Sequence, residues 1–284
     1  MNLSDKNKHD LTIVVNTCDA YQDVLGIFFH AFKEFWPNCP YPIVINTESS
    51  NAFLNTVKVH NHIRTTVADD WGDRLRSTLN SIETEFVLML YDDFIVDTQV
   101  NSNGIQQALQ LLISQVNNVV AYLTNTSLSF AISDSDQLFL PLKDRIDYRV
   151  NSAPGIWRRN VLLNYTAAGD NPWAWEVFGT YRSWGDGNLF YSINPRYEDI
   201  YSYNYSKGGA IYRGKWVREV VDQVIQRYSL NIDWSKRGFS SETNFEKRSL
   251  IWKIRFMQTG FKMVGFKAMY FLIGYIKDKI NAKK

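Results

Sequence analysis

Two adjacent carboxylates, Asp92 and Asp93, directly follow an apolar run at 86–90 and Tyr91. Such a run is typical of a strand that is buried on both faces of an α/β sheet. Ligands of these sheets bind at the C-terminal ends of the strands, and Mg²⁺ or Mn²⁺ prefers carboxylate oxygens and substrate phosphates. The pattern therefore favours a divalent metal that carries a nucleotide diphosphate. The alternative is that the two residues only begin a turn.

The elements that would position these carboxylates alternate between strand and helix along the chain. The apolar spacing predicts strands at 11–15, 42–46, 60–67, 86–90 and 119–123, and helices at 23–35, 74–82, 105–115, 160–164 and 216–228. Weaker strand patterns occur at 138–140, 199–205 and 210–212. This alternation predicts an α/β fold with a mostly parallel sheet that has helices on both faces.

Composition narrows the class of protein. The chain has 284 residues, is 45% hydrophobic and 15% aromatic, and carries a net charge of only +2, which is the sum of two unequal parts. Residues 236–284 hold 12 basic and 3 acidic side chains, a charge of +9, whereas residues 1–235 carry −7. The two cysteines have no metal-ligand spacing, the first ten residues lack the apolar core of a signal peptide, and no apolar run approaches the ~18 residues that span a bilayer. These features predict a cytoplasmic protein.

Several segments in order resemble bacterial glycosyltransferases of the GT-A type, related to family 2, that build O-antigens and capsules. They are the polar loop 16–21 after the first strand, Trp71-Gly72-Asp73-Arg74-Leu75, Asp92-Asp93, Gly155-Ile156-Trp157-Arg158 and Asn171-Pro172-Trp173-Ala174-Trp175-Glu176. The resemblance covers residues 10–235 and implies a Rossmann-like GT-A domain, a nucleotide-sugar donor and a divalent cation. One position departs from the family's acidic motif, because Tyr91 stands where its first Asp would be.

The resemblance also implies roles for individual residues in holding the donor. Thr17, Asp19 and Tyr21 fall in the loop that holds the base and ribose, although such residues equally cap a following helix. Further donor contacts would come from Asp73, Arg74 and Asp92, and from Arg213 and Lys215 in a segment with Gly208, Gly209 and Gly214 that closes over the diphosphate. Asp93 and Asp92 would hold the metal.

Glu176 is the predicted general base. An inverting transferase needs a carboxylate that takes the proton of the acceptor hydroxyl as its oxygen attacks the anomeric carbon. Trp173 and Trp175 would form an aromatic floor for the acceptor, and partial burial would raise the pKa of the carboxyl. The alternative is an ordinary helix-start glutamate beside core tryptophans, with Asp170, Asp186 and Asp199 as other candidate bases.

The basic C-terminal segment alternates apolar and cationic residues at helical spacing. Such helices lie in the interface of an anionic membrane with their lysines reaching the headgroups. The alternatives are a last helix packed on the body and, with less support because the body is acidic, a nucleic-acid site. The sequence thus predicts two parts, a GT-A domain at 1–235 and a basic amphipathic helical segment at 236–284.

Together these observations predict an inverting, Mn²⁺- or Mg²⁺-dependent glycosyltransferase of surface polysaccharide synthesis, peripheral at the inner face of the plasma membrane. The favoured donor is a UDP-sugar, and the expected acceptor is a saccharide or a lipid-linked saccharide. No nucleic acid is expected. One alternative is a sugar nucleotidyltransferase, which should carry a Gly-rich, basic loop after the first strand. Residues 16–21 contain no glycine and no basic residue. The other alternative is a carbohydrate-binding protein without catalysis.

Overall fold

The computed structural model describes residues 11–49, 61–64, 70–132, 134–230, 232–240 and 249–281. An eight-stranded sheet in the order β3-β2-β1-β4-β7-β5-β8-β6 forms its centre. Its strands are β1 Leu11–Asn16, β2 Ile43–Thr47, β3 Asn61–Arg64, β4 Phe86–Tyr91, β5 Asn118–Tyr122, β6 Phe139–Pro141, β7 Gly155–Arg158 and β8 Leu189–Ile193. Two further strands, β9 Ile211–Tyr212 and β10 Lys215–Trp216, pair as a separate hairpin.

Six strands of the sheet run in one direction. β3, β2, β1 and β4 pair in parallel, and β5 pairs in parallel with β8. β7 is antiparallel to both β4 and β5, and β6 is antiparallel to β8. The sheet is therefore mixed but mostly parallel, and the C-terminal ends of β1, β2 and β4 lie along one edge.

Helices cover both faces of this sheet. They are α1 Gln22–Phe35, α2 Trp71–Ser81, α3 Ser102–Ser114, α4 Arg159–Tyr165, α5 Pro172–Val177, α6 Arg218–Tyr228, α7 Leu250–Val264 and α8 Met269–Asn281. Leu11, Ile13 and Val15 of β1 pack in the core beneath α1, α3 and α6. Val14 faces the opposite core, which α2, α4 and α5 cover. This alternation is the two-residue period of a strand that is buried on both faces.

The predicted α/β class is confirmed, and most differences concern element ends and short strands. Within the predicted strand at 60–67, the structure describes residues 61–64, which form β3, and residue 60 and 65–67 lie outside the described ranges. β7 and β8 had not been predicted as strands. Residues 199–205, which were predicted as a strand, form only a single bridge between Tyr203 and Val96. Predictions about residues 1–10 also lie outside the described ranges.

The two C-terminal helices pack against α5 and the short 3₁₀ helix Gly179–Arg182. Gly260 of α7 is buried so closely against the Phe178 ring that a β-carbon there would lie 2.5 Å from it. The segment before α7 also bonds to the body, since the backbone N–H of Trp216 donates to the Gly238 carbonyl. The division of the chain at residue 235 stays a prediction. Among the described helices, none is both long and apolar enough to cross a membrane.

Candidate functional site

β4 delivers Asp92 and Asp93 to the C-terminal edge of the sheet. Asp92 is buried, its backbone N–H donates to the Asn16 carbonyl at 3.1 Å, and its carboxylate accepts a hydrogen bond from the Thr17 hydroxyl. Asp93 is half-buried and lines a cavity, and its carbonyl accepts from Ala210 N–H at 2.8 Å. The two neighbouring side chains therefore have different surroundings.

Burial dominates the protonation of both carboxyls. Desolvation, reinforced by the charge of Asp93, raises the pKa of Asp92 well above its ordinary range, although the Thr17 hydrogen bond opposes this. Desolvation raises the pKa of Asp93 to about 7. Two carboxyls in such a place are costly to ionise together unless a cation joins them.

Glu176 faces the same cavity from α5. The helix begins at Pro172, and Asn171 caps it by accepting from Ala174 N–H, which fixes where the glutamate points. The Ser152 backbone N–H donates to Glu176 Oε1 at 2.7 Å, and the Ser152 hydroxyl donates to the same oxygen. Burial raises the pKa of Glu176, while the two bonds from Ser152 lower it.

The cavity, of about 570 Å³, brings the predicted metal ligand and the predicted base together. Six aromatic side chains line it: Tyr91, Phe94, Tyr148, Trp173, Tyr203 and Tyr205. Polar groups come from the segment after β5 and from the turn before β7: Thr124, Asn125, Thr126, Ser127, Asn151 and Ser152. The described lining includes no Lys or Arg, so Asp93 and Glu176 dominate its charge.

Sequence reasoning missed much of this lining. Ser152, which holds the predicted base, follows Asn151, whose side-chain oxygen accepts from Ala153 N–H in a tight turn. The Asn-Ser pair before Pro154 was a turn signal that could have directed attention there. Tyr203 and Tyr205 lie far from the acidic pair in the sequence, and no local pattern connects them to it.

A second group of polar residues lies at the ends of β1 and β2; we call Thr17, Asp19, Tyr21, Glu48 and Arg74 the β1 cluster. Arg74, on α2, is buried and forms an ion pair of 3.1 Å with Glu48, which also accepts from the Asp19 backbone N–H. The Asp19 carboxylate accepts from the Thr47 hydroxyl at 3.0 Å and from Ser49 N–H at 2.9 Å. These predicted donor contacts are therefore held by partners within the chain.

Arg237, another residue that sequence reasoning missed, fixes the loop of the β1 cluster. Its guanidinium lies 4.2 Å from the centre of the Tyr21 ring and donates to both Asp23 carboxylate oxygens, at 2.9 and 2.6 Å. It also donates to the Ala20 carbonyl. Burial, together with nearby negative charge, raises the pKa of Tyr21, whereas Arg237 lowers it.

The structure corrects the prediction for Trp175. This side chain is fully buried, its indole N–H donates to the Tyr165 carbonyl at 3.0 Å, and its ring packs on Trp71 and Trp157. It is a core residue and has no surface for an acceptor. Trp173, in contrast, is 42% exposed and lines the cavity, so only one of the two predicted tryptophans is available to a ligand.

The other predicted donor residues lie outside the described cavity lining. Asp73 is in the first turn of α2, and Arg213 and Lys215 are exposed on the β9–β10 hairpin. Of this region, Ile211 in β9 and Gly208 before the hairpin line the cavity. The alternative bases are engaged elsewhere: Asp170 pairs with Arg182, Asp186 accepts from Tyr165, and Asp199 accepts from Thr124 and Asn125.

The residues at the end of β4 fit a divalent cation. The described part of the chain contains no group of three or more His, Cys, Asp or Glu side chains arranged to hold a metal. Asp93, which lines the cavity, and the adjacent Asp92 nevertheless match the way Mg²⁺ is held by one or two carboxylates, substrate phosphates and water. Asp93, with Asp92 behind it, is the pair that would hold the ion.

The sequence matches no known family model, and no curated protein matches it. Among solved structures, Staphylococcus aureus TarS 1–349 in complex with UDP is similar in fold, with a TM-score of 0.50, 12% identity and coverage of 91% of this chain and 82% of that one. The same TarS fragment with UDP-GlcNAc gives a TM-score of 0.49 at 12% identity, over 91% and 82% of the two chains. A cytidylyltransferase from Leptospira borgpetersenii gives 0.46 at 14% identity, over 90% and 97%. At this identity the likeness concerns the fold, which is the expected GT-A-like α/β architecture.

Proposed function

We propose that the protein is a glycosyltransferase that uses a nucleotide-diphosphate sugar. The observation that carries the proposal is that Asp93 and Glu176, from different elements, face one aromatic-lined cavity at the C-terminal edge of the sheet. Transfer of a sugar needs a site for the departing diphosphate and a base for the attacking hydroxyl within reach of one anomeric carbon. A cavity lined by both carboxyls can supply the two, with Asp93 holding a cation that binds the diphosphate and Glu176 acting as the base.

Glu176 is the residue that takes the proton of the acceptor hydroxyl. Both hydrogen bonds from Ser152 end on Oε1, so they hold the carboxylate in one orientation and leave Oε2 as the oxygen that we assign to proton transfer. Partial burial moves its pKa upward, which strengthens the ionised carboxylate as a base. Attack from the side opposite the diphosphate would invert the anomeric configuration.

Asp93, supported by Asp92, would hold Mn²⁺ or Mg²⁺. When bound, the cation neutralises charge that develops on the leaving diphosphate. The chain's own contribution is to fix both residues at the end of β4: the Thr17 hydroxyl donates to the Asp92 carboxylate, and Ala210 N–H donates to the Asp93 backbone carbonyl. The β1 cluster lies beside this pair, joined to it by the bond between Thr17 and Asp92, and is the region that we assign to the nucleoside.

The acceptor half of the cavity is aromatic. Trp173 and Tyr205 are exposed and present ring surface on which a sugar can stack, whereas the Tyr203 ring is buried and stacks on Phe94 at 4.6 Å. The hydroxyls and amides after β5 offer hydrogen bonds. A neutral saccharide fits this lining better than an anionic one because the described walls carry two carboxyls and no cation. That the donor is a UDP-sugar and that the product is part of a surface polysaccharide are proposed from the sequence resemblance alone.

Two alternatives make different demands on the same residues. A sugar nucleotidyltransferase would need cationic groups around the triphosphate, but the loop after β1 supplies none and the described cavity lining holds no Lys or Arg. A carbohydrate-binding protein would use the aromatic rings and would not require Asp93 or Glu176 for its affinity.

The test is ligand-induced thermal stabilisation of the full chain with UDP, GDP, CMP and dTDP, each with and without Mn²⁺. A nucleotide that binds only the folded state raises the melting temperature, by an amount that grows with the logarithm of its concentration above the Kd. We expect one nucleotide to raise the melting temperature only when Mn²⁺ is present, and we expect Asp93→Asn to abolish this increase. The donor that carries this nucleotide then enters a turnover assay with simple saccharide acceptors, in which Glu176→Gln should bind the nucleotide normally and fail to transfer.

Three results would contradict the proposal. A millimolar panel without any stabilisation would remove the donor site. Stabilisation that survives Asp93→Asn would separate nucleotide binding from the acidic pair. Unchanged binding of saccharides to both the Asp93→Asn and the Glu176→Gln protein, with no turnover in the wild type, would favour the carbohydrate-binding alternative.

A further inference from the structure

The outer surface of the two C-terminal helices concentrates exposed apolar side chains. Of the 17 large hydrophobic residues that are exposed in the described part of the chain, ten lie between residues 250 and 276. They are Leu250, Ile251, Ile254, Phe261, Phe266, Met269, Tyr270, Ile273, Tyr275 and Ile276. Soluble proteins seldom expose so many large apolar side chains together unless the surface binds something. Tyr270 also packs on Tyr181 and Trp184 of the body, and we call the surface formed by the other nine the outer face.

The outer face is distinct from the side of α7 that docks on the body. Trp252, Phe256 and Gly260 repeat every four residues and face inward; Phe256 stacks on Trp173 at 4.1 Å and packs on Phe178 at 4.7 Å. Ile251, Ile254 and Phe261 follow at intervals of three and seven residues, which places them on the opposite side of the helix. α7 therefore already has its packing partner, and the exposed residues form a second apolar face.

Cationic side chains accompany this second face. Lys253, Arg255 and Lys262 are exposed, and the sequence from 249 to 277 contains no Asp or Glu. The Lys267 ammonium instead donates to the Tyr181 carbonyl of the body at 3.0 Å. The turn between α7 and α8 presents Phe266, which is 90% exposed. An apolar surface on helices whose own charged residues, from 249 to 277, are all basic is complementary to a partner that is apolar within and anionic at its surface.

We propose that the outer face binds an anionic lipid surface. The apolar side chains of Ile251, Ile254, Phe261 and Phe266 would enter the boundary between headgroups and acyl chains, and the lysines would extend to the headgroup phosphates. Each basic residue near such a surface strengthens binding, and the acidic body, at −7 for residues 1–235, would keep the remaining surface away from it.

The proposed lipid surface is also connected to the candidate active site. Trp173 lines the cavity on one side and stacks on Trp252 and Phe256 of α7 on the other. A membrane docked on α7 would therefore lie behind a wall of the cavity. Taken with the proposed glycosyltransferase function, on which this last step rests, the arrangement suits an acceptor saccharide that is attached to a lipid.

The experiment is sedimentation of the full chain with vesicles. Neutral phosphatidylcholine vesicles are compared with vesicles that contain 30% phosphatidylglycerol. We expect binding to the anionic vesicles, at least about tenfold weaker binding to the neutral ones, and loss of binding in 0.5 M NaCl. Two variants probe the surface: Ile254→Glu/Phe261→Glu changes the apolar part, and Lys253→Gln/Arg255→Gln/Lys262→Gln removes the charge. Each should weaken anionic binding at least about tenfold.

Matched controls separate this surface from general stickiness and from misfolding. Ile113, at 48% exposed on α3, and Val116, at 83%, are exposed hydrophobic residues elsewhere, so Ile113→Glu/Val116→Glu should bind vesicles like the wild type. Nucleotide-induced stabilisation without lipid should be the same in all of these proteins, because none of the changed residues lines the cavity. That measurement reports on the proposed enzyme function independently of the lipid surface.

Equal binding to neutral and anionic vesicles, or anionic binding that the outer-face variants leave intact, would overturn the inference. Light scattering after size exclusion gives the remaining contrary outcome. A dimer that Ile254→Glu/Phe261→Glu converts to a monomer would assign the outer face to a second copy of the chain.

Discussion

The β1 cluster and the cavity both hold carboxylates at the same edge of the sheet, but the two regions compensate the negative charge differently. In the β1 cluster Glu48 meets the Arg74 guanidinium, and Asp19 accepts from Thr47 and Ser49. In the cavity Asp93 lies beside another carboxyl, and Glu176 has the neutral donor Ser152. Burial raises the pKa of both cavity carboxyls.

This difference indicates which carboxylates contribute to folding and which are available to a ligand. When a buried carboxylate is paired with a guanidinium, removal of the carboxylate destabilises the fold, because the buried positive charge loses its compensation. A buried carboxyl without a cation costs free energy in the folded state and is expected where function requires it. Substitution of the first kind of carboxylate should therefore lower the free energy of unfolding, and substitution of the second kind should lower activity.

The largest expected effect is on activity in the cavity. Asp93→Asn and Glu176→Gln should each lower the rate of sugar transfer by about a thousandfold, since each removes a group that acts in the transition state. Neither should lower the free energy of unfolding, because a neutral amide replaces a desolvated carboxyl. Transfer assays and urea denaturation of the same preparations check this. A variant that is both inactive and strongly destabilised would make its carboxyl part of the scaffold and remove the contrast.

The opposite result is expected in the β1 cluster. Glu48→Gln removes the carboxylate that pairs with the buried Arg74 at 3.1 Å and should lower the free energy of unfolding by about 3 kcal/mol. Glu85→Gln is the matched control: it breaks the ion pair of Arg158, but Glu85 is 57% exposed, so the loss should stay below about 1 kcal/mol. Urea denaturation measures both. Equal losses would show that burial of the carboxylate does not distinguish these pairs.

The parts of the molecule that were predicted from the sequence are those with a continuous or periodic apolar pattern. β1 and β4 were found because every side chain in them is buried or nearly so, and their ends located the loop 16–21 and the acidic pair. β7 was missed because its four residues, Gly155–Arg158, are too few to show a period and the strand is antiparallel within an otherwise alternating pattern. Short inserted strands depend on tertiary pairing more than on local sequence.

The sequence predicted site residues whose type alone indicates their chemistry. It could not predict which of two similar neighbouring residues points into the cavity. Trp173 and Trp175 are equivalent as letters, yet two residues on a helix point to nearly opposite sides, so one lines the cavity and the other fills the core. No helix was predicted at 172–177, so the opposite directions of the two side chains were not predicted either. Ser152 and Arg237 act through contacts 24 and 214 residues away along the chain, which no local pattern reveals.

The raised pKa of Asp93 makes a prediction about pH. Burial raises this pKa from 3.8 to about 7, so the folded state holds a proton that the unfolded chain releases near pH 4. The resulting stabilisation is complete below pH 4 and is lost as the pH rises to about 7. Without metal, the free energy of unfolding of the wild type should therefore fall relative to Asp93→Asn over this range, by at most about 1.4 kcal/mol per pH unit. Urea denaturation at pH 5 and pH 7 measures the difference. A constant difference would contradict the assigned burial.

The smallest effects are expected at the β9–β10 hairpin, which lies between the two regions. Ala210, just before it, donates to the Asp93 carbonyl, and Trp216, at its end, lies 5.7 Å from the Arg237 guanidinium. Arg213 and Lys215 are exposed, so an attraction to a bound diphosphate acts through solvent. Arg213→Ala and Lys215→Ala should each weaken nucleotide binding by about two- to fivefold at low salt and by less in 0.5 M NaCl, with little change in stability. Calorimetric titration at two salt concentrations tests this. A loss of about a hundredfold that persists at high salt would show that the hairpin closes onto the diphosphate, and its cations would then belong with Asp93 and Glu176 among the residues that are sensitive in activity.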